Sequence, residues 1–260
     1  MVTHRYEGLK MSLSKLEIID ERFVRRQLPE ALLEMLWARG WRHFGSQYFR
    51  HNYFFYSGYF CSVQAIRIRV ADFRPSRSQR RVLRKNADLE LRISEINITH
   101  EVFELFEKHK ERFGQNGPRD IFDVIATSEE RHSGKTLQFS LYQNGHLLAV
   151  SFLDLAGKSS SGLYAFFHPS AAKRSLGIYT MLCEIEFTRE NKMKFYYPGY
   201  VFREKSFYDY KKRFRPAEVY DWHGRWLPYE PEYRELLTNE QSLGIPGCTL
   251  DLLDIEIDES

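Results

Sequence analysis

The sequence predicts an α+β protein. Three observations carry that expectation: short runs that alternate apolar and polar residues, longer runs whose apolar residues recur at helical spacing, and an order in which three strands precede a helix and a further strand. The 260 residues are enough for one large domain or two modest ones with a proper core, and 43% of them are hydrophobic and 15% aromatic. No apolar run approaches the ~20 residues of a membrane span. The N-terminus scatters its charges and shows no apolar stretch with a small-residue cleavage site, so no secretory signal is expected. These features predict a cytoplasmic protein without membrane contact. Cys61, Cys183 and Cys248 are odd in number and far apart, a pattern that supports neither a disulfide framework nor a zinc site.

Near the N-terminus, LPEALLEMLWARG places Leu32, Leu33, Leu36 and Trp37 at helical spacing, with Pro29 near the start and Gly40 as the stop. VQAIRIRVADF sets Ile66, Ile68 and Val70 against Arg67 and Arg69, which predicts a half-exposed strand. After Pro75, SRSQRRVLRKNADLE predicts a helix capped by Ser76 or Ser78. THEVFELFEKHKERFG predicts another, capped by Thr99, with Val102, Phe103, Phe106 and His109 near one face and Gly114 as its stop. After a polar stretch the pattern changes. KTLQFSLYQNGHLLAVSFLDL predicts two strands about Asn144-Gly145, a pair that favours a tight primed turn. GLYAFFHP follows as a strand, SLGIYTMLCEIEFTRENK as an amphipathic helix and MKFYYPGYVF as the next strand. REKSFYDYKKRF predicts a short helix, and AEVYDW and RWLPYE predict strands about His223-Gly224. The expected boundary lies between a region 1–115, with the basic strand and helix, and a domain 116–260.

Charge is unevenly placed. Residues 1–120 carry 22 lysines and arginines against 15 aspartates and glutamates, although the whole chain is only +3, and the chain ends in the acidic DLLDIEIDES. From Arg67 to Lys85 there are eight cations (Arg67, Arg69, Arg74, Arg77, Arg80, Arg81, Arg84 and Lys85) and one acid, Asp72. A solvated helix face is the ordinary reading of such a run. This density favours an anionic partner instead.

The order strand, strand, strand, helix, strand, helix, strand is that of a GNAT-type acyltransferase domain. Its central helix begins KRSLGIY. In GNAT acetyltransferases the corresponding turn reads Arg/Gln-x-x-Gly-x-Gly/Ala, and its backbone N–H groups hold the coenzyme A pyrophosphate. Arg174 and Gly177 fit this pattern, but Tyr179 stands where a small residue belongs. Its bulk argues against coenzyme A and leaves room for another phosphate or sugar ligand.

Several longer motifs share one resemblance. LWARGWRHFGSQYFR, FRPSRSQRRVLRKNADL, HEVFELFEKHKERF, YAFFHPSAAKRSLGIYTMLCEIEF and FYYPGYVFREKSFYDYKKRFRPAEVY resemble, in the same order, segments of the arginyl-tRNA–protein transferases and of the bacterial aspartate/glutamate leucyltransferases. The likeness runs from about Leu36 to Trp222. The most specific motifs are Arg-Gly-Trp-Arg with Phe-Gly, Pro-Ser-Arg-Ser-Gln-Arg-Arg, Arg-Ser-Leu-Gly-x-Tyr, and Tyr-Lys-x-x-Phe-x-Pro from Tyr210 to Pro216. Where family members carry a cysteine cluster that in some of them binds metal or an iron–sulfur centre, this chain reads HNYFFYSGYFCSVQ, with Cys61 alone among aromatic residues. One thiol cannot hold a tetrahedral site, so no metal and no iron–sulfur cluster is expected. The family's Arg-His is here Arg112-Phe113, and the cysteine often found before the Tyr-Lys motif is replaced near Ser206 and Phe207.

The resemblance implies a divergent aminoacyl-tRNA–protein transferase that moves arginine or leucine from charged tRNA to a protein N-terminus, one beginning with Asp or Glu, in an N-degron pathway. It implies no cofactor, since the tRNA is a co-substrate. A GNAT-type acyl-coenzyme A transferase and a catalytically silent tRNA-binding relative are the alternatives. Phosphate contacts are expected from Ser76, Arg77, Ser78, Arg80, Arg81 and Arg84, and from Lys173, Arg174, Ser175, Gly177 and Tyr179 at the central helix start. Tyr164, Tyr197, Gly199 and Arg215 are expected to line the substrate pocket. The ester is already activated, so alignment, an oxyanion site and proton transfer suffice. Tyr200, Tyr208, Tyr210 and Lys211 are the candidates, with Tyr208 or Tyr210 passing a proton to the leaving 3′ oxygen and Lys211 or Arg215 binding an acceptor carboxylate.

Overall fold

The computed structural model describes residues 17–56, 58–112, 118–125 and 135–230. The expected stop at Gly114, the Phe113 departure, Cys248 and the acidic tail lie outside the described residues. Within them, a small antiparallel sheet of order β1-β3-β2 is formed by β1 (Asp20–Val24), β2 (Arg42–Phe44) and β3 (Gln47–His51). Helix α1 (Glu30–Ala38) lies between β1 and β2 and buries Leu33, Leu36 and Trp37. It ends where Gly40 adopts a φ of 82°, and a Cβ there would lie 3.0 Å from the Trp222 and Tyr220 rings.

The large sheet runs β12-β11-β5-β10-β9-β8-β7-β6, with β4 (Tyr53–Tyr56) pairing with β5 as well. Its members are β5 (Tyr59–Arg69), β6 (Glu90–Glu95), β7 (Lys135–Gln143), β8 (His146–Ala156), β9 (Ser159–Phe167), β10 (Phe195–Phe202), β11 (Ala217–Tyr220) and β12 (Trp226–Pro228). Every pairing is antiparallel except β9 with β10. The β7–β8 hairpin turns on Asn144 at φ 50° and Gly145 at φ 82°, as a primed turn requires. The sheet takes β5 and β6 from before residue 116 and its other long strands from after it.

Strand alternation sorts the core onto two faces. Leu137, Phe139, Leu153 and Tyr196 pack with Met181, Leu182 and Ile185 of α4 (Leu176–Glu190), beside α2 (Arg77–Lys85). Val150, Phe152 and Phe166 face the other way, against Val102, Leu105 and Phe106 of α3 (His100–Lys110). Ala156 and Tyr197 share that second face and pack on α1 and Tyr48 of β3.

Local chemistry explains the helix starts. Ser76, not Ser78, caps α2: its hydroxyl accepts from the Gln79 N–H while the Gln79 side chain accepts from the Ser76 N–H. Thr99 caps α3. The segment expected as a helix in REKSFYDYKKRF is a 3₁₀ turn, Phe207–Arg213, capped by Ser206. The basic strand β5 alternates as expected, with Ile66, Ile68 and Val70 buried, Arg67 half-buried and Arg69 exposed. It lies between β10 and β11, and the Arg67 guanidinium is held 4.0 Å from the Phe195 ring centre, 4.3 Å from that of Trp226 and 2.6 Å from Glu218. Burial of a cation on a strand needs such a combination of ring faces and carboxylate.

Candidate active site

Strands β9 and β10 lie side by side only over Ser159–Phe195, Ser160–Tyr196 and Ser161–Tyr197. Two sequence features part them beyond that point. On β10, Pro198 has no N–H to donate and Gly199 takes a φ of 103°. On β9 the register with β8 shifts, so that Leu163 is an extra residue between the partners of Phe152 and Leu153. The result is a V-shaped opening in the middle of the sheet, with α4 behind it.

The Arg42 guanidinium from β2 fills the apex. It donates to the Ser161 hydroxyl, to the Gly162 carbonyl and, at 3.3 Å, to the Tyr197 carbonyl. These bonds satisfy main-chain acceptors that the parted strands no longer satisfy for each other, and the charged donor strengthens them. The next residue anchors the same strand: His43 Nε2 lies 2.7 Å from Asp154 Oδ2 and Nδ1 lies 3.0 Å from the Gly45 carbonyl. Asp154 also accepts from the Thr136 hydroxyl at 2.6 Å.

From α4, Glu184 reaches the apex and accepts a hydrogen bond from the Tyr196 hydroxyl. Burial pushes its carboxyl up to about 7, against the opposing pull of the Ser151 and Tyr196 hydroxyls and of Arg42. Gly162 is fixed by this pair, because a Cβ there would stand 2.8 Å from the Tyr196 oxygen and 3.0 Å from Glu184 Oε2. On the far side of Gly199, Lys211 Nζ would lie 3.3 Å from a Cβ and Arg42 Nε 3.6 Å. Lys211 Nζ donates to the Tyr200 carbonyl at 3.4 Å and sits 5.1 Å from the Tyr208 ring centre.

Of the residues expected in the site, Gly199, Tyr208, Tyr210, Lys211 and Tyr164 gather around the opening. Tyr164, Tyr208 and Tyr210 lie within electrostatic reach of one another, and Tyr210 also feels Glu184. Burial raises all three phenols, Tyr164 to about 12. Tyr200 is a candidate of another kind, because its hydroxyl is directed to the carbonyls of Gly40, 2.8 Å, and Phe49, 3.3 Å, which makes it a tie between β10 and the N-terminal region. Tyr197 departs: its ring lies on the α1 face among Trp37 and Trp226, and only its carbonyl reaches the apex. Arg215 is exposed and lies 5.7 Å from the Tyr229 ring centre.

The two segments expected to contact phosphate meet at one end. The end of α2 docks on the turn before α4: Lys85 donates to the Lys173 carbonyl, and Asn86 to the Arg174 carbonyl at 3.0 Å. Arg174 forks onto Asp88 with two contacts of 2.9 Å, so its charge is already paired. Ser76, Arg77, Ser78, Arg80, Arg81 and Arg84 are exposed, and Arg77, Arg81 and Arg84 make no ion pair among the described residues. Ser175 is left-handed at φ 57°, its side chain making no cap bond, and Gly177 follows, where a Cβ would meet the Phe167 ring at 4.0 Å. Tyr179 is half-buried against Leu89, Leu141, Ala149 and Leu176 and bonds to Cys183, which places its ring partly in the core.

Arg42, Gly162, Glu184 and Tyr196 were not anticipated. Arg42 stands within a motif, Arg-Gly-Trp-Arg, that gives no hint of its role. Glu184 did leave a trace, because Thr180, Glu184 and Thr188 recur every four residues on the buried side of α4.

A mixed sheet split between parallel strands, with a helix behind the split and polar groups at its apex, is the arrangement of a GNAT-like acyltransferase. Residues 101–221 match the family of the arginine-tRNA-protein transferase C terminus. An aspartate/glutamate leucyltransferase of Stenotrophomonas maltophilia (strain K279a) is 36% identical over 61% of this chain and 68% of its own length. One from Pseudoalteromonas atlantica is 33% identical over 71% and 79%, and one from Marinobacter nauticus 31% over 75% and 81%. Among solved structures, the C-terminal domain of a putative lysylphosphatidylglycerol synthetase from Agrobacterium fabrum aligns over 94% of this chain and 79% of its own, with 13% identity and a TM-score of 0.47. The chain belongs to the family of arginine-tRNA-protein transferases and aspartate/glutamate leucyltransferases. It is an enzyme of the aminoacyl-tRNA–protein transferase type.

Proposed function

We propose that the enzyme transfers leucine from leucyl-tRNA to the α-amino group of proteins that begin with Asp or Glu, acting in the cytoplasm as a step of an N-degron pathway. The observation that carries this reading is the agreement of three relatives at 31 to 36% identity, each named an aspartate/glutamate leucyltransferase. The exposed arginines of α2 and the docked start of α4 supply a surface for the acceptor stem, through phosphate contacts that weaken with salt. The opening between β9 and β10 receives the aminoacyl ester and the acceptor amine. An aminoacyl ester is activated before it binds, so the reaction as proposed calls for no metal or further cofactor, only alignment, proton transfer and donors for the oxyanion. In this reading Tyr208 or its neighbour Tyr210 passes a proton to the leaving ribose oxygen; the partly exposed Tyr208 ring and its proximity to Tyr210 support it.

The test offers an Asp-initiated peptide with leucyl-tRNA, arginyl-tRNA or acetyl-coenzyme A in parallel. Leucine on the peptide N-terminus in the first reaction alone is expected. Arginine in its place would overturn the donor, acetyl would overturn the class of reaction, and retained tRNA without product would leave only a binding protein.

A further inference from the structure

Arg42 and Lys211 flank a single glycine. A Cβ on Gly199 would lie 3.3 Å from Lys211 Nζ, 3.6 Å from Arg42 Nε and 3.7 Å from Arg42 Nη2. Two cations that converge on one point and are largely shielded from water disfavour a state in which both are ionised. Arg42 does not yield its proton, since a guanidinium stays charged in proteins and its N–H donors are engaged by Ser161, Gly162 and Tyr197. Lys211 is the member that can become neutral. The groups facing it are Arg42 from β2, the Tyr200 carbonyl from β10 and the Tyr208 ring from its own turn. Asp209 of the same turn is 2.8 Å from Lys212, and Glu184 on α4 is bonded to Tyr196 of β10. Lys211 therefore makes no ion pair among the described residues.

We propose that Lys211 accepts the proton of the acceptor α-ammonium and that Arg42 is the positioning residue that keeps the Lys211 amine neutral; this rests on the aminoacyl-transfer reading above. Burial, and then Arg42, bring Lys211 down to about 7. The unperturbed α-amino group titrates at roughly 7.7 to 8.0, so the proton passes between nearly matched groups. The freed amine lone pair forms the C–N bond to the ester carbonyl carbon. The C–O bond to the ribose then breaks with its electron pair, and the ribose oxygen takes the second proton shed by the amine nitrogen. Lys211 returns its own proton to water, which leaves an amide, a free tRNA hydroxyl and one released proton.

The experiment is the pH dependence of kcat at saturating leucyl-tRNA and Asp-initiated peptide. A base must be neutral to act, so kcat rises with pH through about 7 and then levels. Removing the Arg42 charge raises the Lys211 pKa, so Arg42→Gln moves the rising limb to higher pH while Arg42→Lys returns it toward the parent. A bound substrate amine lies near the same cation and would shift too, so Lys211→Met assigns the limb: its residual activity loses the limb if Lys211 titrates and keeps it if the substrate does. Lys211→Met and Lys211→Arg lower kcat by roughly 100-fold or more, with peptide KM little changed. Melting temperature and tRNA affinity, read on each preparation, confirm folding, and the Lys211 pair carries the test if Arg42→Gln does not fold. A limb that stays in place in folded Arg42→Gln overturns the role of Arg42. A raised peptide KM with intact kcat in Lys211→Met makes Lys211 a carboxylate-binding residue and overturns its role as a base. Absence of leucine transfer by the parent defeats the earlier reading instead.

Discussion

Gly162 has no side chain because the space its Cβ would take is already filled by the Tyr196 hydroxyl and the Glu184 carboxyl. Both are buried, both belong to one hydrogen bond, and neither is the loose end of a flexible chain that could swing aside. Gly162→Ala must therefore push β9 away from α4 at the point where Arg42 holds the Gly162 carbonyl. Overpacking of this kind costs about 1 to 3 kcal/mol. The expected result is a lower melting temperature together with a fall in kcat, and thermal unfolding beside a single-turnover assay measures both. An unchanged protein would mean that the apex is pliable. At this scale the sequence was least informative. Lys211, Tyr208 and Tyr210 stood out because a motif carried them, whereas Arg42 owes its position to partners more than a hundred residues away, which no local pattern encodes. The Tyr200 hydroxyl is a like case: its partners, Gly40 and Phe49, are distant in the chain.

Elements were legible wherever their residues speak to their own neighbours. The cap of α2, its run of arginines and the Asn144-Gly145 turn all depend on interactions within a few residues, and each is present. The strands β1 to β4 and β6 were not foreseen. They are short, and although Leu91 and Ile93 of β6 alternate with Glu90 and Arg92, the strand lies on a sheet edge with little of it buried. The basic helix α2 also yields a prediction. Among its residues only Gln79 is buried, so its arginines contribute little to the core. Changing Arg77, Arg80 and Arg81 together to alanine should leave the melting temperature nearly unchanged, as surface substitutions do. Affinity for charged tRNA should fall, and the slope of log affinity against log salt should flatten by up to about 0.9 per lost contact for duplex phosphates. A salt titration of binding decides this, and an unaltered slope would make α2 a solvated face.

The large sheet crosses the expected boundary at residues 115 and 116, since β5 supplies the neighbour of β10 and β6 the neighbour of β7. A second tie runs from the small N-terminal sheet: His43 of β2 meets Asp154 of β8, a carboxylate with no solvent exposure. Arg42, one residue earlier, spans β9 and β10. The halves thus share hydrogen-bonded strands, core and apex, and they should unfold as one unit. We expect a single thermal transition for the whole chain, coincident by far-UV and near-UV circular dichroism. A fragment of residues 116–260 should show none, because β10 and β7 would each expose an unpaired edge and the Asp154 carboxylate would lose its imidazole. The point variant His43→Ala isolates that last contribution. Leaving a buried polar group without its hydrogen-bond partner costs roughly 1 to 3 kcal/mol, so denaturant unfolding should show a loss of that order while the transition stays cooperative. If the fragment instead melts cooperatively and His43→Ala costs under about 1 kcal/mol, a typical surface-pair contribution, then the C-terminal domain stands on its own and the N-terminal region is an attachment to it.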